Sequence, residues 1–196
     1  MKKNEMKKRC TWCGDDLLYV KYHDKEWGVP VRSDKKHFEF LILEGAQAGL
    51  SWITVLKKRE AYRQAMDNFD FNMVATYEEA KVKQLLKNPG IIRNELKIRS
   101  TIRNAKAFIK IRKEFGTFNK YIWQFVNNKP IQNSWKLMKN VPAKTELADT
   151  ISKDLKKRGF NFVGPTIVYA YMQAIGMIND HTTDCFRYLE VKQLSN

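Results

Sequence analysis

Residues 33–66 read SDKKHFEFLILEGAQAGLSWITVLKKREAYRQAM, and this stretch decides the fold class of the chain. Its apolar side chains, such as Phe38 and Leu41, recur at intervals of three and four positions. That spacing is typical of an amphipathic α-helix, because one turn takes 3.6 residues. A break at Gly49 separates two such helices. We therefore predict two consecutive helices joined by a short turn, with His37 on the polar side of the first.

Helical spacing continues along most of the remaining chain. Further helices are predicted before Pro89-Gly90, from Thr145 to Arg158 and after Gly164-Pro165, and we find no convincing alternating strand. Asn127 to Pro142 is expected to be a long, irregular connection. The sequence thus predicts a compact, all-α fold. Its expected parts are a basic N-terminal extension (1–9), a single helical domain (10–187) and a C-terminal tail (188–196).

The composition indicates a folded protein with an anionic partner. The chain has 196 residues, of which 43% are hydrophobic, and 36 Lys and Arg face 21 Asp and Glu, so the formal net charge is +15. This length suits one domain, and this charge raises the question of nucleic-acid binding. The alternative is a chain that is basic only for solubility. Charge alone does not decide between them.

The sequence also predicts where the protein resides. It has no apolar run of about 18 residues and no signal-peptide pattern, which predicts that it neither crosses a membrane nor is secreted. Its three cysteines are too few for a disulfide scaffold and favour reduced thiols. We therefore expect a cytoplasmic protein, and we expect a monomer because no feature implies a protein partner.

Two pairs of Cys and His residues form a candidate metal site. Cys10 and His23 lie near one end of the chain, and His181 and Cys185 lie near the other. The second pair is spaced to share one face of a helical turn, and four N and S ligands suit tetrahedral Zn²⁺. Cys10 and Cys13 also form a C-x-x-C motif, so a redox pair or a site that uses Cys13 instead of His23 stays open. Scattered buried cysteines are the further alternative.

Aromatic residues and one carboxylate form a second candidate site: Tyr22, Trp27, Glu44 and Trp52. Glu44 lies in the nearly apolar run 41–46, where a carboxylate is costly to bury without a partner or a cationic ligand. The alternative is that Glu44 lies at the solvated edge of its helix and that the aromatic residues fill the core. Together with the basic charge, the cluster predicts a pocket for a flat cation such as a positively charged nucleobase.

Four motifs resemble those of one enzyme family. They are YHDKEWG at 22–28, LEGAQAGLSW at 43–52, GFNFVG at 159–164 and NDH at 179–181. The chain resembles the Tag family of 3-methyladenine DNA glycosylases, a branch of the helix-hairpin-helix DNA glycosylases, over nearly its whole length. The resemblance implies a helical helix-hairpin-helix fold and hydrolytic excision of 3-methyladenine from alkylated double-stranded DNA, with no lyase step. It also implies one structural zinc ion that joins the terminal segments.

The resemblance further implies roles for individual residues. The zinc ligands would be Cys10, His23, His181 and Cys185. The residues of the base pocket would be Glu44 and Tyr22 at the purine edge, Trp52 as the stacking ring, and Trp12 and Trp27 in the wall. Glu44 is the candidate catalytic residue, acting chiefly through recognition of the base.

Two segments are expected to contact DNA. Leu50, which follows Gly49 in the turn between helices, matches a family residue that probes the gap left by the flipped nucleotide; ordinary packing is the alternative. The hairpin from Gly159 to Gly164 is expected to bind the DNA backbone, because glycine permits close approach and the next helix directs N–H groups at phosphate. Pro89-Gly90 is a second candidate hairpin. The neighbouring basic run is expected to contact phosphate or to be a solvated face; it comprises Lys156, Lys157 and Arg158.

Two alternatives remain for the chemistry. Many helix-hairpin-helix glycosylases carry a catalytic aspartate beyond the hairpin, and Asp180 is the nearby acid here, although the resemblance does not assign it that role. The alternative function is DNA binding without catalysis, by a module that a structural zinc ion stabilises. Release of 3-methyladenine from alkylated DNA separates an enzyme from such a module.

Overall fold

Helix α2, Asp34–Gln47, forms the centre of the fold in the computed structural model, which describes residues 7–194. Every residue of α2 from His37 to Ala46 is buried. A helix that is enclosed on all sides belongs to the core rather than to the surface. Helix α3, Trp52–Ala65, follows after a short turn, so the predicted pair of helices is present.

The other elements surround α2. They are α1 (Leu17–Lys25), α4 (Phe71–Ala75), α5 (Glu79–Lys87), α6 (Glu95–Phe115), α7 (Phe118–Trp123), α8 (Glu146–Lys157), α9 (Pro165–Ala174), α10 (Phe186–Gln193), β1 (Ile131–Gln132) and β2 (Ile178–Asn179). Helix α2 contacts α3, α6, α7 and α9, and α8 packs on α9. Over the described part of the chain the fold is mostly helical, as predicted, and no helix there is long and apolar enough to span a membrane.

One short strand pair departs from the predicted absence of strands. Strands β1 and β2 are parallel and pair Ile131 with Ile178. Each strand has only two residues, so no alternation of polar and apolar side chains could reveal it. The pair ties the long connection before α8 to the segment that follows α9.

His37 is buried, contrary to the expected position on a polar helix face. Its Nδ1 lies 2.9 Å from the Tyr171 hydroxyl, and its Nε2 lies 3.2 Å from Asn119 Oδ1. Burial lowers the pKa of His37 to about 4, so the ring is neutral at physiological pH. The expectation was wrong because α7 and α9 cover the side of α2 that the neighbouring lysines suggested was solvated.

The N-terminal segment joins the domain before its predicted boundary. Of the expected extension 1–9, residues 1–6 lie outside the described residues. Arg9 donates three hydrogen bonds of 2.8–3.1 Å to the Asp24 carboxylate on α1. Arg9 therefore belongs structurally to the helical domain.

The boundary expected between residues 187 and 188 lies inside α10. Tyr188 and Val191 are buried, and Asn179 Nδ2 donates to the Tyr188 carbonyl oxygen at 3.1 Å. The polar residues between them had suggested a C-terminal tail outside the domain. A short helix with one buried face produces the same composition, which is why the sequence alone did not separate the two.

Candidate active site and metal centre

A cavity of about 340 Å³ lies beside the C-terminal half of α2. It contains all five residues that were predicted for the base pocket: Trp12, Tyr22, Trp27, Glu44 and Trp52. The rest of its lining comprises Tyr19, Gln47, Met138, Val141, Pro142, Ala143, Thr166, Tyr169, Ala170 and Gln173. The structure therefore brings the predicted aromatic and carboxylate residues together around one space.

Two parts of the cavity wall were missed from the sequence. Met138 and residues 141–143 belong to the connection that was predicted only as irregular, and nothing in its pattern places it against the cavity. Thr166, Tyr169 and Gln173 lie on one face of α9. Their helical spacing directly after the GFNFVG motif was the one available indication of this wall.

Glu44 is buried on the cavity wall, with 3% of its surface exposed. Burial raises the pKa of its carboxyl group to about 8. Among residues 7–194, no group donates a hydrogen bond to this carboxylate and no cation forms an ion pair with it. The alternative of a solvated helix edge is therefore wrong, because α2 is enclosed. An unpaired buried carboxyl group gains most from a positively charged ligand.

The aromatic rings that line the cavity with Glu44 form two pairs, one tilted and one edge-to-face. The rings of Tyr22 and Trp52 have centroids 5.3 Å apart, and those of Trp12 and Trp27 have centroids 4.9 Å apart. Burial, followed by the nearby Glu44 charge, raises the pKa of Tyr22 well above its ordinary value. The Tyr22 hydroxyl group is therefore neutral. The aromatic rings offer apolar faces to a flat ligand.

Cys10, His23, His181 and Cys185 meet in a buried cluster that could hold a metal ion. One ligand atom from each residue lies within 4.8 Å of all the others. Cys10 Sγ lies 3.5 Å from His181 Nδ1, and Cys185 Sγ lies 3.5 Å from His23 Nε2. Cys13 is not in this cluster; its thiol donates to the Cys10 carbonyl oxygen at 3.2 Å. Of the two proposed ligand sets, the geometry assembles the one with His23.

The second nitrogen of each histidine has its own partner. His23 Nδ1 lies 2.8 Å from Asp24 Oδ1, and His181 Nε2 donates to the Trp27 carbonyl oxygen at 3.1 Å. Arg9 binds the same Asp24 carboxylate. Such partners fix the ring orientation and the tautomer of metal-binding histidines. His23 Nε2 and His181 Nδ1 are therefore the nitrogens that face the two thiols and could bind a metal. The Cys10 N–H also donates to His23 Nε2 at 3.3 Å.

The metal cluster adjoins the aromatic wall of the cavity. The Trp27 ring centroid lies 4.6 Å from that of His181, and the Trp12 centroid lies 5.4 Å from that of His23. Both tryptophans also line the cavity. The position of this wall consequently depends on the two histidines behind it.

The α2–α3 turn exposes an apolar side chain. Gly49 has a φ of 76°, which favours glycine, and the Leu50 N–H donates to the Gln47 carbonyl oxygen at 2.6 Å. Leu50 is 41% exposed although it is apolar. A tight turn thus presents Leu50 near the helix end that carries Glu44.

The predicted hairpin connects α8 to α9. Gly159 ends α8 with a φ of 95°, and Gly164 precedes α9, where Pro165 takes the first position. Phe162 adopts a φ of 54° and packs so closely on α2 that a side chain at Gly45 would bring its Cβ within 3.3 Å of the Phe162 Cβ. The hairpin is therefore anchored next to Glu44.

The basic run before the hairpin divides into two parts. Lys156 and Lys157 are exposed and form no ion pair among the described residues. Arg158 binds Glu114 at 2.7 Å and Asp154 at 2.8 Å. The positive charge of Arg158 is already balanced within the protein, so the two lysines are the better candidates for phosphate contacts.

The second candidate hairpin, Pro89-Gly90, packs against α3. A side chain at Gly90 would bring its Cβ within 2.8 Å of Ala61 Cβ, and Lys58 Nζ donates to the Pro89 carbonyl oxygen at 2.7 Å. This segment is a turn whose glycine permits close helix packing.

Asp180 is buried and fully hydrogen-bonded. Its Oδ1 accepts from Asn133 and Trp135, and its Oδ2 accepts from Tyr169 and Gln173, all at 2.7 Å. Four donors occupy the lone pairs that a catalytic base would need. The geometry therefore favours a structural role in which Asp180 fixes the α9 side of the cavity wall.

Known proteins share this sequence and this fold. The methyladenine glycosylase family model matches residues 12–188. The chain is 47% identical over 180 residues to a DNA-3-methyladenine glycosylase of Haemophilus influenzae, covering 92% of this chain and 97% of that protein. It is 48% identical over 180 residues to DNA-3-methyladenine glycosylase 1 of Escherichia coli, covering 92% and 96%. A solved structure that explains 3-methyladenine recognition by 3-methyladenine DNA glycosylase I from Staphylococcus aureus superposes with a TM-score of 0.89 at 35% identity, covering 91% and 95%. The chain therefore belongs to the methyladenine glycosylase family.

Proposed function

We propose that this protein hydrolyses the N-glycosidic bond of 3-methyladenine in alkylated double-stranded DNA and leaves an abasic site. The observation that carries the proposal is Glu44, a buried carboxyl group without a partner on the wall of an aromatic cavity of about 340 Å³. Adenine that is alkylated at N3 is flat and positively charged, which suits aromatic faces and a carboxylate. Membership of the methyladenine glycosylase family supports the same substrate.

The reaction needs little acid catalysis. The alkylated adenine already carries a positive charge, so it departs as a neutral base when the glycosidic bond breaks. The protein must extrude the nucleotide, accept only the alkylated base and stabilise the positive charge that develops on the sugar. Glu44 contributes by recognising the cationic base. In the proposed reaction water replaces the base at the sugar, with no covalent bond between protein and sugar and no lyase step.

We propose that three features bind the DNA. Leu50 enters the space that the extruded nucleotide leaves, because it is apolar, exposed and next to the cavity wall. The Gly159–Gly164 hairpin and the start of α9 bind the backbone through N–H groups. Lys156 and Lys157 add positive charge beside that hairpin.

We propose zinc as the metal. A tetrahedral zinc ion with the usual bond lengths sets S and N ligands about 3.6 Å apart, and three of the four S···N distances in the cluster are 3.5, 3.5 and 3.6 Å. Two cysteines and two histidines fill all four positions, so the ion would cross-link the terminal segments without supplying a reacting group. The thiolate ligands fit a reducing cytoplasm, and one chain completes both sites, which suits a monomer.

Incubation with methylated duplex DNA should release 3-methyladenine, because the cavity accepts the cationic base. Chromatography of the released bases measures the product, and alkali-induced strand breaks measure the abasic sites. Unmethylated duplex of the same sequence is the control. Tight DNA binding without base release would favour the non-enzymatic binding module instead.

Binding to undamaged duplex should be weak and should fall steeply with salt. Each phosphate that a lysine or arginine neutralises adds about −0.9 to the slope of log affinity against log salt concentration. Replacing Lys156 and Lys157 together with methionine should therefore flatten the slope by about two units. Fluorescence anisotropy at several salt concentrations measures it. An affinity that does not change with salt concentration would show that the net charge of the chain does not contribute to DNA binding.

A further inference from the structure

Lys97 holds the end of helix α2 from the neighbouring helix α6. Its Nζ donates to the Ala46 carbonyl oxygen at 2.9 Å and to the Ala48 carbonyl oxygen at 2.6 Å. The last carbonyl groups of a helix have no partner within the helix, and a lysine at that end also interacts favourably with the helix dipole. Hydrogen bonds from an ammonium group are stronger than those between neutral groups. Lys97 thus fixes the point at which α2 stops.

The turn that carries Leu50 begins at this point. Ala48 leaves the helix with a φ of −46° and a ψ of 117°, and Gly49 then reverses the chain. Lys97 binds the residues immediately before the reversal, whereas Leu50 at the tip remains exposed. A side chain that enters a base stack needs such a rigid support, because unstacking costs a few kcal/mol.

The same face of α6 also holds the hairpin. Asn104 follows Lys97 by two helical turns and therefore lies on the same side of α6. Its Nδ2 donates to the Asn161 carbonyl oxygen at 2.9 Å, and its Oδ1 accepts from the Asn161 N–H at 2.8 Å. Helix α6 therefore fixes the spacing between the Leu50 turn and the Gly159–Gly164 hairpin.

We propose that Lys97 is a positioning residue for base extrusion, which sets the Leu50 turn relative to the hairpin that binds the DNA backbone. The inference rests on the proposed function. It does not make Lys97 a phosphate ligand, because its ammonium group is already bound by two carbonyl oxygens and is partly buried.

The test is a comparison of Lys97→Met with Lys110→Met. The first variant keeps the aliphatic stem and loses the two hydrogen bonds. The second removes the same charge from an exposed position of α6. Single-turnover excision is measured for 3-methyladenine in a normal pair and for the same base opposite an abasic site, where extrusion costs less. We expect Lys97→Met to lower the rate about tenfold on the normal pair and much less on the unpaired base.

Lys97→Arg keeps the charge and N–H donors, and it should restore part of the rate. Equal losses on paired and unpaired bases, or equal behaviour of the two methionine variants, would overturn the proposal. If Lys97→Met does not fold, Lys97→Gln takes its place under the same criteria.

Hydrogen exchange provides a second readout that does not need activity. The amide of Leu50 is bonded to Gln47 and should exchange faster in Lys97→Met than in the wild-type protein or in Lys110→Met. Unchanged exchange contradicts the positioning role. Absence of excision by the wild-type protein contradicts the proposed function instead, so the two failures are distinguishable.

Discussion

Replacing Glu44 with glutamine should lower the excision of 3-methyladenine by about 10- to 150-fold. The substitution keeps the shape of the side chain, removes its charge and converts one acceptor into a donor. Loss of a hydrogen bond to a charged group costs about 1.5–3 kcal/mol, which corresponds to that range of rates. Single-turnover kinetics on methylated duplex measures the effect. Glu78→Gln is the control, because Glu78 is exposed and forms no ion pair among the described residues.

The thermal stability of Glu44→Gln should stay the same or rise, although its excision rate falls. Burial raises the pKa of Glu44 to about 8, so the folded protein favours the protonated carboxyl group. Above the ordinary carboxyl pKa of about 4.3, folding must then take up a proton, and this cost grows until about pH 8. Glutamine avoids the cost, so the melting temperature should equal or exceed that of wild type at neutral pH. Unchanged excision, or a joint loss of stability and metal, would remove the recognition role.

The raised pKa of Glu44 predicts that binding of methylated DNA depends on pH. Near pH 7 most free protein carries a protonated Glu44, whereas a cationic base favours the ionised form. Binding of methylated DNA should therefore release a proton and should tighten between pH 6 and pH 8 relative to undamaged DNA. Glu44→Gln should lack this difference.

Replacing Cys185 with serine should remove the metal, whereas replacing Cys13 with serine should retain it. Both thiols are buried, but only Cys185 lies in the ligand cluster. Wild-type protein purified without added metal should contain one zinc ion per chain. Because the ion joins distant segments, its loss should lower the free energy of unfolding by about 2–5 kcal/mol, as for a lost cross-link. Excision should fall as well, since His181 supports Trp27 in the cavity wall.

Elemental analysis and thermal unfolding of the wild-type, Cys185→Ser and Cys13→Ser proteins test the predicted metal content and stability. Cys13→Ser is a close control, since it makes the same chemical change at a buried thiol that lies beside the cluster but outside it. Folded wild-type protein without metal would contradict the zinc proposal, and so would loss of metal from Cys13→Ser with retention in Cys185→Ser.

Local patterns were sufficient to predict most of the helices, and four motifs indicated the enzyme family, but neither revealed the surroundings of each side chain. The spacing around Phe38 and Leu41 predicts α2, yet it cannot show that other helices cover the side of α2 that carries His37. The sequence shows that Glu44 is an unusual carboxylate, because it lies in an apolar run. It does not show that Glu44 is buried, because the burial depends on the helices that enclose α2. Spacing also left Cys13 open as an alternative to His23 for the metal, because only the folded chain brings His23 next to residues near the other end.

Segments without periodicity were the least predictable. Met138 lies in a connection with no regular pattern, so its place in the cavity wall follows from the β1–β2 pairing and the path of the chain. The ion-pair partners of a charged residue were equally unpredictable from the sequence, as Arg158 shows. Its position in a basic run suggested a phosphate contact, and only the structure shows Glu114 and Asp154 already bound to it.

The candidate metal cluster draws its four residues from two segments that are far apart in the chain. Cys10 and His181 are 171 positions apart, and His23 and Cys185 are 162 positions apart. During translation, Cys10 and His23 emerge from the ribosome well before His181 and Cys185, so the proposed ligand set is completed only after the intervening residues have been synthesised. Bridging a loop of this length removes about 5 kcal/mol of chain entropy from the unfolded state. If the proposed zinc ion binds all four residues, a chain that stops before His181 holds only half of the donor set and should not retain it.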